Sequence, residues 1–151
     1  MRGPRELLAA FHQAMVDMSA DDLAGLHAED AVYEFPLLTP GRPERYTSRE
    51  EIRRGFGAAW AAAPVHVERI TDVVVHETAD PGVIIAEQRA AARITETGRP
   101  FSLPFLLVMR VRGGLIVHVR DYADALRGAL ETGRLTAVAD SLARDRANDP
   151  A

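Results

Sequence analysis

Strand alternation in the C-terminal half of the chain puts one carboxylate where carboxylates seldom stay. Successive side chains of a strand point to opposite faces. From Phe101 onward, Phe101, Leu103, Phe105, Leu107, Met109 and Val111 make an unbroken apolar face, with Ser102, Arg110 and Arg112 opposite. The preceding run sorts in the same way: Ile84, Ala86, Gln88, Ala90, Ala92 and Ile94 share one face, and Glu87, Arg89 and Arg93 the other. A two-residue turn at Thr97-Gly98 sets Ala90 opposite Phe105 and Gln88 opposite Leu107, so the apolar faces coincide. For the last hairpin, a Gly113-Gly114 loop would oppose Met109 to His118 and Leu107 to Arg120. A three-residue loop, Arg112 to Gly114, instead opposes Met109 to Val117, Leu107 to Val119 and Phe105 to Asp121. The second keeps apolar with apolar and is preferred. It brings Asp121 onto the interior face, in a row with Phe105 and Ala90 and diagonal to Gln88.

A carboxylate on such a face costs several kcal/mol unless it is paired, hydrated or kept protonated. Inside a ligand cavity that cost raises its pKa and makes it a general acid or base near neutral pH. At a strand end it could instead bond backbone amides or a rim arginine. Tyr33 groups with Phe35 and away from Glu34, and Gln88 is the only amide on its face. Asp121, Tyr33 and Gln88 therefore form the candidate catalytic set, with Gln88 polarising a substrate carbonyl or simply satisfying Asp121. The expected substrate-binding wall is His12, Met15, Phe35, Phe56, Trp60, Ala90, Leu103, Phe105, Leu107, Met109 and Val119. His12 joins it if the first helix turns it inward beside Met15.

Other chemistries find no footing. His12, His27, His66, His76 and His118 lack metal-ligand spacing, and cysteine is absent, which excludes thiolate sites and disulfides. The chain has neither a GxSxG elbow nor a glycine-rich phosphate loop, so no metal and no cofactor is expected.

Helices and strands must position these residues. Pro4 suits the first turn of a helix in which Leu7, Phe11, Met15 and Met18 recur at helical spacing to near Ser19. Ser19 with Asp22 can cap a short second helix, followed by a strand over Ala31 to Pro36 and a Pro/Gly-rich loop whose Tyr46 could serve in a lid. Thr47 with Glu50, or Ser48 with Glu51, reads as a capping box for a helix through Ile52, Phe56 and Trp60 that Pro64 ends. Strands are then expected over about Val65 to His76, Val83 to Glu96, Arg99 to Arg112 and Leu115 to Asp124, an antiparallel meander. Leu126 and Leu130, then Leu135, Val138 and Leu142, suggest two short helices, and the stretch from Arg144 looks like a frayed tail. Helices first and a meander after predict an α+β fold with helices over one face of a curved sheet. The expected division is one domain over 1–133 with a helical extension and tail over 134–151.

The chain has 151 residues, 47% of them hydrophobic, enough for a single core and a modest cavity. Eighteen basic against 22 acidic residues give a net charge of -4 with no basic cluster, which argues against nucleic acid. No apolar run approaches the roughly 20 residues a bilayer crossing needs, and Met1 to Leu8 lacks a secretion signal. A cytoplasmic protein without membrane partners is expected.

The segment GGLIVHVRDYAD, together with HAEDAVYEFP and the helix between them, resembles the nuclear transport factor 2-like superfamily, nearest its SnoaL-like cyclases and limonene-epoxide-hydrolase-like members. The resemblance implies a cone of curved antiparallel sheet closed by helices around a pocket, a cystatin-like α+β barrel. Epoxide hydrolases of this type use an Asp-Arg-Asp set with a Tyr and an Asn. Their last-strand Asp matches Asp121 and their Tyr matches Tyr33, but the Arg falls on Gln88, the second Asp on Ala90 and the Asn on Phe35. The ketosteroid isomerase base falls on Phe35 and its oxyanion-stabilising Asp on Leu107. SnoaL-like cyclases rest on a last-strand Asp in an apolar cavity, which Asp121 preserves. The resemblance thus implies a cofactor-independent cyclase or isomerase acting on a small hydrophobic, oxygenated, polyketide-like substrate. An epoxide hydrolase and a non-catalytic binding or dimerisation module are the alternatives. A homodimer is expected from the resemblance and from Leu106, Val108 and Ile116 on the sheet's outer face.

Overall fold

Pro4 at the first helical position and Glu6, whose Oε2 accepts from the Gly3 N–H (2.8 Å), open α1, Pro4–Asp17, in this computed structural model. The structure describes residues 1–150. Leu7, Leu8, Phe11 and Ala14 form the buried stripe of α1. Met18, expected to extend that stripe, instead caps the helix in the left-handed region at φ 48°. Ser19 accepts from the Asp22 N–H and opens α2, Ala20–Gly25.

The first strand starts earlier than its apolar run suggested, as β1, His27–Glu34, and the Pro/Gly-rich stretch after it contains a short strand β2, Arg45–Tyr46. Tyr46 pairs with Tyr33 and is 8% exposed, so it belongs to the core rather than to a lid. Ser48 caps α3, Arg49–Ala62, while the Thr47 N–H donates to Glu51 Oε2. Four long strands follow: β3, Val65–Glu77, β4, Val83–Ile94, β5, Pro100–Arg112, and β6, Leu115–Ala123. Two helices, α4 Ala125–Glu131 and α5 Leu135–Ala147, end the fold. The helix α5 continues through Arg144–Ala147, where a frayed tail was expected.

The strand order is β2-β1-β6-β5-β4-β3, with β1 and β6 running parallel. The sheet is therefore mixed rather than wholly antiparallel, and it is curved but not closed into a barrel. Irregularities in β1, β3 and β6 supply bends of the kind that curve a sheet. Helix α1 packs on β3, β4 and β5, and α3 on β1 and β2, so the core lies on the concave, helix-covered side.

Both hairpin registers differ from expectation by two residues. Gln88 opposes Phe105 and Ala90 opposes Leu103, because the loop spans Thr95 to Gly98 and Ile94 closes on Arg99. At the last hairpin Gly113 and Gly114 do form the two-residue turn, with φ of 60° and 77°, the pair of positive values a type I′ turn requires. A bulge at Val117 then inserts one extra residue into β6. Val111 opposes Ile116, yet Met109 opposes Val119 and Leu107 opposes Asp121. A shift of two leaves every side chain on its face. The interior assignment of Asp121 survives, in a row with Leu107 and Ala86 instead of Phe105 and Ala90. The bulge turns Ile116 inward to 0% exposure, so it is not part of the outer apolar face.

Candidate active site

The parallel pairing of β1 with β6 sets Tyr33 beside Val119, two residues from Asp121 on the same face. Tyr33 Oη donates to Asp121 Oδ2 at 2.7 Å. The Tyr33 ring is fully buried, stacked with Phe11 at 6.4 Å and in edge contact with Phe56 at 5.0 Å, with Phe35 at 5.2 Å. Burial, reinforced by the Asp121 carboxylate, pushes its phenol well above the ordinary range, so Tyr33 stays protonated and acts as a fixed donor.

Asp121 is half-buried as a residue, but its Oδ1 is shut off from water and has no hydrogen-bond partner. Burial raises its pKa to about 6, against the opposing effects of the Tyr33 hydrogen bond and the Arg42 charge. Both protonation states are thus accessible near neutrality, which suits a group that takes and returns a proton. With Oδ2 held by Tyr33, Oδ1 is the oxygen left without a partner.

Gln88, 3% exposed, does not satisfy Asp121. Its Oε1 accepts from His12 Nε2 at 2.5 Å. An amide oxygen only accepts, so His12 carries its proton on Nε2, and burial lowers its pKa, which keeps the ring neutral. The Gln88 amide nitrogen is buried and unpartnered. Asp121 and Gln88 thus each present one unused polar atom on the concave face.

Of the expected wall residues, Phe35, Phe56, Phe105, Leu107, Met109 and Val119 are core, while Met15, Trp60, Ala90 and Leu103 are only partly buried. That half-covered group lies along α1, α3, β4 and β5. A cleft of about 530 Å³ lies among Ala59, Ala63, Val65, Ala125 and Gly128 between α3, α4 and α5, with Thr39–Arg42 on its rim. A second cleft of about 510 Å³ runs from Glu34 and Phe35 through Thr39 to Tyr122. Asp121, Tyr33 and Gln88 wall neither of these two clefts; Arg42 lines both.

Arg42 escaped the sequence reading. Its guanidinium lies 4.9 Å from the Phe35 ring centroid and 4.5 Å from that of Phe56, and its Nη1 is buried without a partner. A loop arginine between prolines has no periodicity to say which way it turns. On the outer face His118 Nε2 lies 2.7 Å from Glu34 Oε2.

Comparison with known proteins agrees with this architecture. A family model described as a SnoaL-like domain matches residues 8–119. A PhzA/B-like protein of Pseudomonas aeruginosa is 31% identical over 139 residues, covering 89% of this chain and 94% of its own. A crystal structure of a Bacillus subtilis protein, named provisionally as an isomerase, is 28% identical with a TM-score of 0.73, covering 85% of this chain and 92% of that one. A Xanthomonas campestris protein named provisionally as a polyketide cyclase has the same fold at 19% identity and a TM-score of 0.67, covering 83% and 93%. A last-strand carboxylate on the concave face, bonded to a first-strand tyrosine beneath N-terminal helices, is therefore set in a chain that belongs to the SnoaL-like family.

Proposed function

We propose that this protein is a cofactor-independent cyclase or isomerase acting on a hydrophobic, oxygenated, polyketide-like molecule. The observation that carries the reading is Asp121: an acid with a pKa near 6, one oxygen held by Tyr33 and the other buried and free. Such a group can abstract a proton from carbon or oxygen and return it elsewhere without leaving the site. Gln88, oriented by His12, offers an amide N–H to a second oxygen of the substrate. Phe105, Leu103, Ala90 and Trp60 supply an apolar surface on which a flexible chain folds before ring closure, and holding the reacting carbons together is itself a large part of the acceleration. The names carried by the Bacillus and Xanthomonas proteins point the same way. Epoxide hydrolysis is the weaker reading, since Ala90 and Phe35 stand where the resemblance would need groups to hold an attacking water.

The test begins with native mass spectrometry of the purified protein to identify a co-purifying ligand, followed by turnover of that compound. Asp121→Asn should reduce turnover by about 10²- to 10⁴-fold, the usual worth of a general acid or base, while ligand affinity and fold persist. Undiminished turnover in that variant rejects the assignment. Labelled oxygen from water appearing in the product would transfer the protein to the hydrolases.

A further inference from the structure

Helices α3, α4 and α5 meet around a cleft that none of them fills. Small side chains wall it, Ala59 and Ala63 from α3 and Ala125 and Gly128 from α4. Alanine and glycine faces let helices close to near contact, yet these stand apart around about 530 Å³. That volume falls within the roughly 300–1,000 Å³ of small-molecule sites. On α5, Arg134, Ala137 and Ser141 recur at helical spacing along the same cleft. Helix α5 packs on α4 and buries none of its residues, so this face is given to the cleft and not to the core. Both C-terminal helices lie outside the SnoaL-like match over residues 8–119.

Charge gives the cleft a sign. The chain has a net charge of -4, yet no aspartate or glutamate lines this cleft, and two arginines do. Neither Arg42 nor Arg134 forms an ion pair among the described residues. Arg42 Nη1 is moreover buried and bonded to nothing, so its N–H lacks both water and an acceptor. The other cleft that Arg42 lines also contains Glu34 and Glu44, so only the helical cleft is of one sign. Small apolar walls edged by unpaired guanidinium groups complement an acid with an apolar body. We propose that the cleft between α3 and the C-terminal helices is a second binding site, for a small molecule with a compact apolar body and one carboxylate. The body displaces water from the alanine walls, and the carboxylate accepts hydrogen bonds from Arg42 and Arg134 at the edge. Asp121, Tyr33 and Gln88 do not line the cleft, so binding there asks nothing of the acid–base group.

The test is isothermal titration of the full chain at neutral pH with 2-naphthoate, an apolar anion, and 2-naphthamide, its neutral counterpart. The carboxylate should be preferred by about tenfold or more, the usual worth of a charge-assisted hydrogen bond. Arg134→Met, at an exposed position before α5, should cut that preference several-fold by weakening the carboxylate alone, and Arg42→Met should do the same. Ala137→Phe, also at an exposed position, keeps both charges but fills the gap, and should weaken both probes by about tenfold. Asp121→Asn should weaken neither. Equal affinity for the two probes, no binding of either at millimolar concentration, or binding that Arg134→Met and Ala137→Phe leave untouched overturns the proposal. So does a loss of binding in Asp121→Asn, which would put the probe on the concave face. A native dimer that Ala137→Phe separates into monomers in light scattering would give the cleft to a second copy of the chain, and overturns it too.

Discussion

Two buried titratable residues oppose each other in this protein's response to pH. Asp121 has its folded pKa raised to about 6 by burial, so the native state holds its proton more tightly than the unfolded chain does. Its stabilising contribution is complete below the ordinary aspartate range and is lost as pH rises through 6, a change of about 3 kcal/mol. His27 behaves in the opposite sense. It is fully buried, its Nδ1–H donates to the Leu23 carbonyl at 2.8 Å, and its Nε2 has no partner. Burial lowers its pKa to about 4, so its contribution is present above pH 6.5 and is lost as pH falls through 4, again about 3 kcal/mol. The contributions of these two groups should therefore nearly cancel between pH 8 and pH 4, leaving His12, whose pKa burial also lowers, to make the native protein less stable as pH falls. Asp121→Asn removes one side of the balance. In urea titrations it should be more stable than the native chain by about 3 kcal/mol at pH 8 and lose that advantage by pH 4. A pH-independent difference would show that the carboxyl is not desolvated as described. A gain in stability with a loss of turnover is also the expected signature of a functional, not structural, residue.

At the scale of elements, the site depends on two local devices. The first is the Gly113-Gly114 turn followed by the Val117 bulge, which lets Ile116 and Val119, three apart in the chain, both face the core. Because Val117 is the one residue of this stretch without a partner on β5, deleting it would restore regular alternation with every pairing kept, and Asp121 would stay inward opposite Leu107, whereas deleting His118 instead would leave Val117 to take its place opposite Arg110. The second is the seat of the Tyr46 ring, which packs over Gly55 of α3 between Phe35 and Phe56. A methyl group at Gly55 would overlap that ring. Gly55→Ala, normally favourable in a helix, should instead cost about 1–3 kcal/mol by overpacking. Thermal unfolding should register the loss, and Tyr46→Leu in the same chain should relieve most of it. An unchanged midpoint for Gly55→Ala would mean the aromatic cluster is loose enough to yield.

For the whole molecule, the outer sheet face is the open question of assembly. Leu106 and Val108 are only partly covered there, and Tyr122, paired with Leu106, lies on the same side. We propose that this face joins two copies of the chain. Leu106→Lys combined with Val108→Lys should then convert a dimer to a monomer in size-exclusion chromatography with light scattering. A monomer in the native protein, or a dimer unmoved by both changes, would discard the idea.

Much of this was readable from local chemistry. Periodicity placed the helices and the four long strands, Ser19 and Ser48 announced their helices, and alternation put Asp121, Tyr33 and Gln88 on the inner face, because side-chain direction follows parity wherever a strand is not interrupted by a bulge such as the one that turned Ile116 inward. Parity also explains why two wrong registers did no harm to that assignment. What the chain alone could not decide were the things that parity leaves free: the parallel union of β1 with β6 that brings Tyr33 to Asp121, the choice of His12 as the partner of Gln88, and the turn of Arg42 out of a loop onto two aromatic rings. Each is a contact between residues far apart in sequence, chosen by which groups the packed core leaves without water. Only the assembled tertiary structure makes that choice.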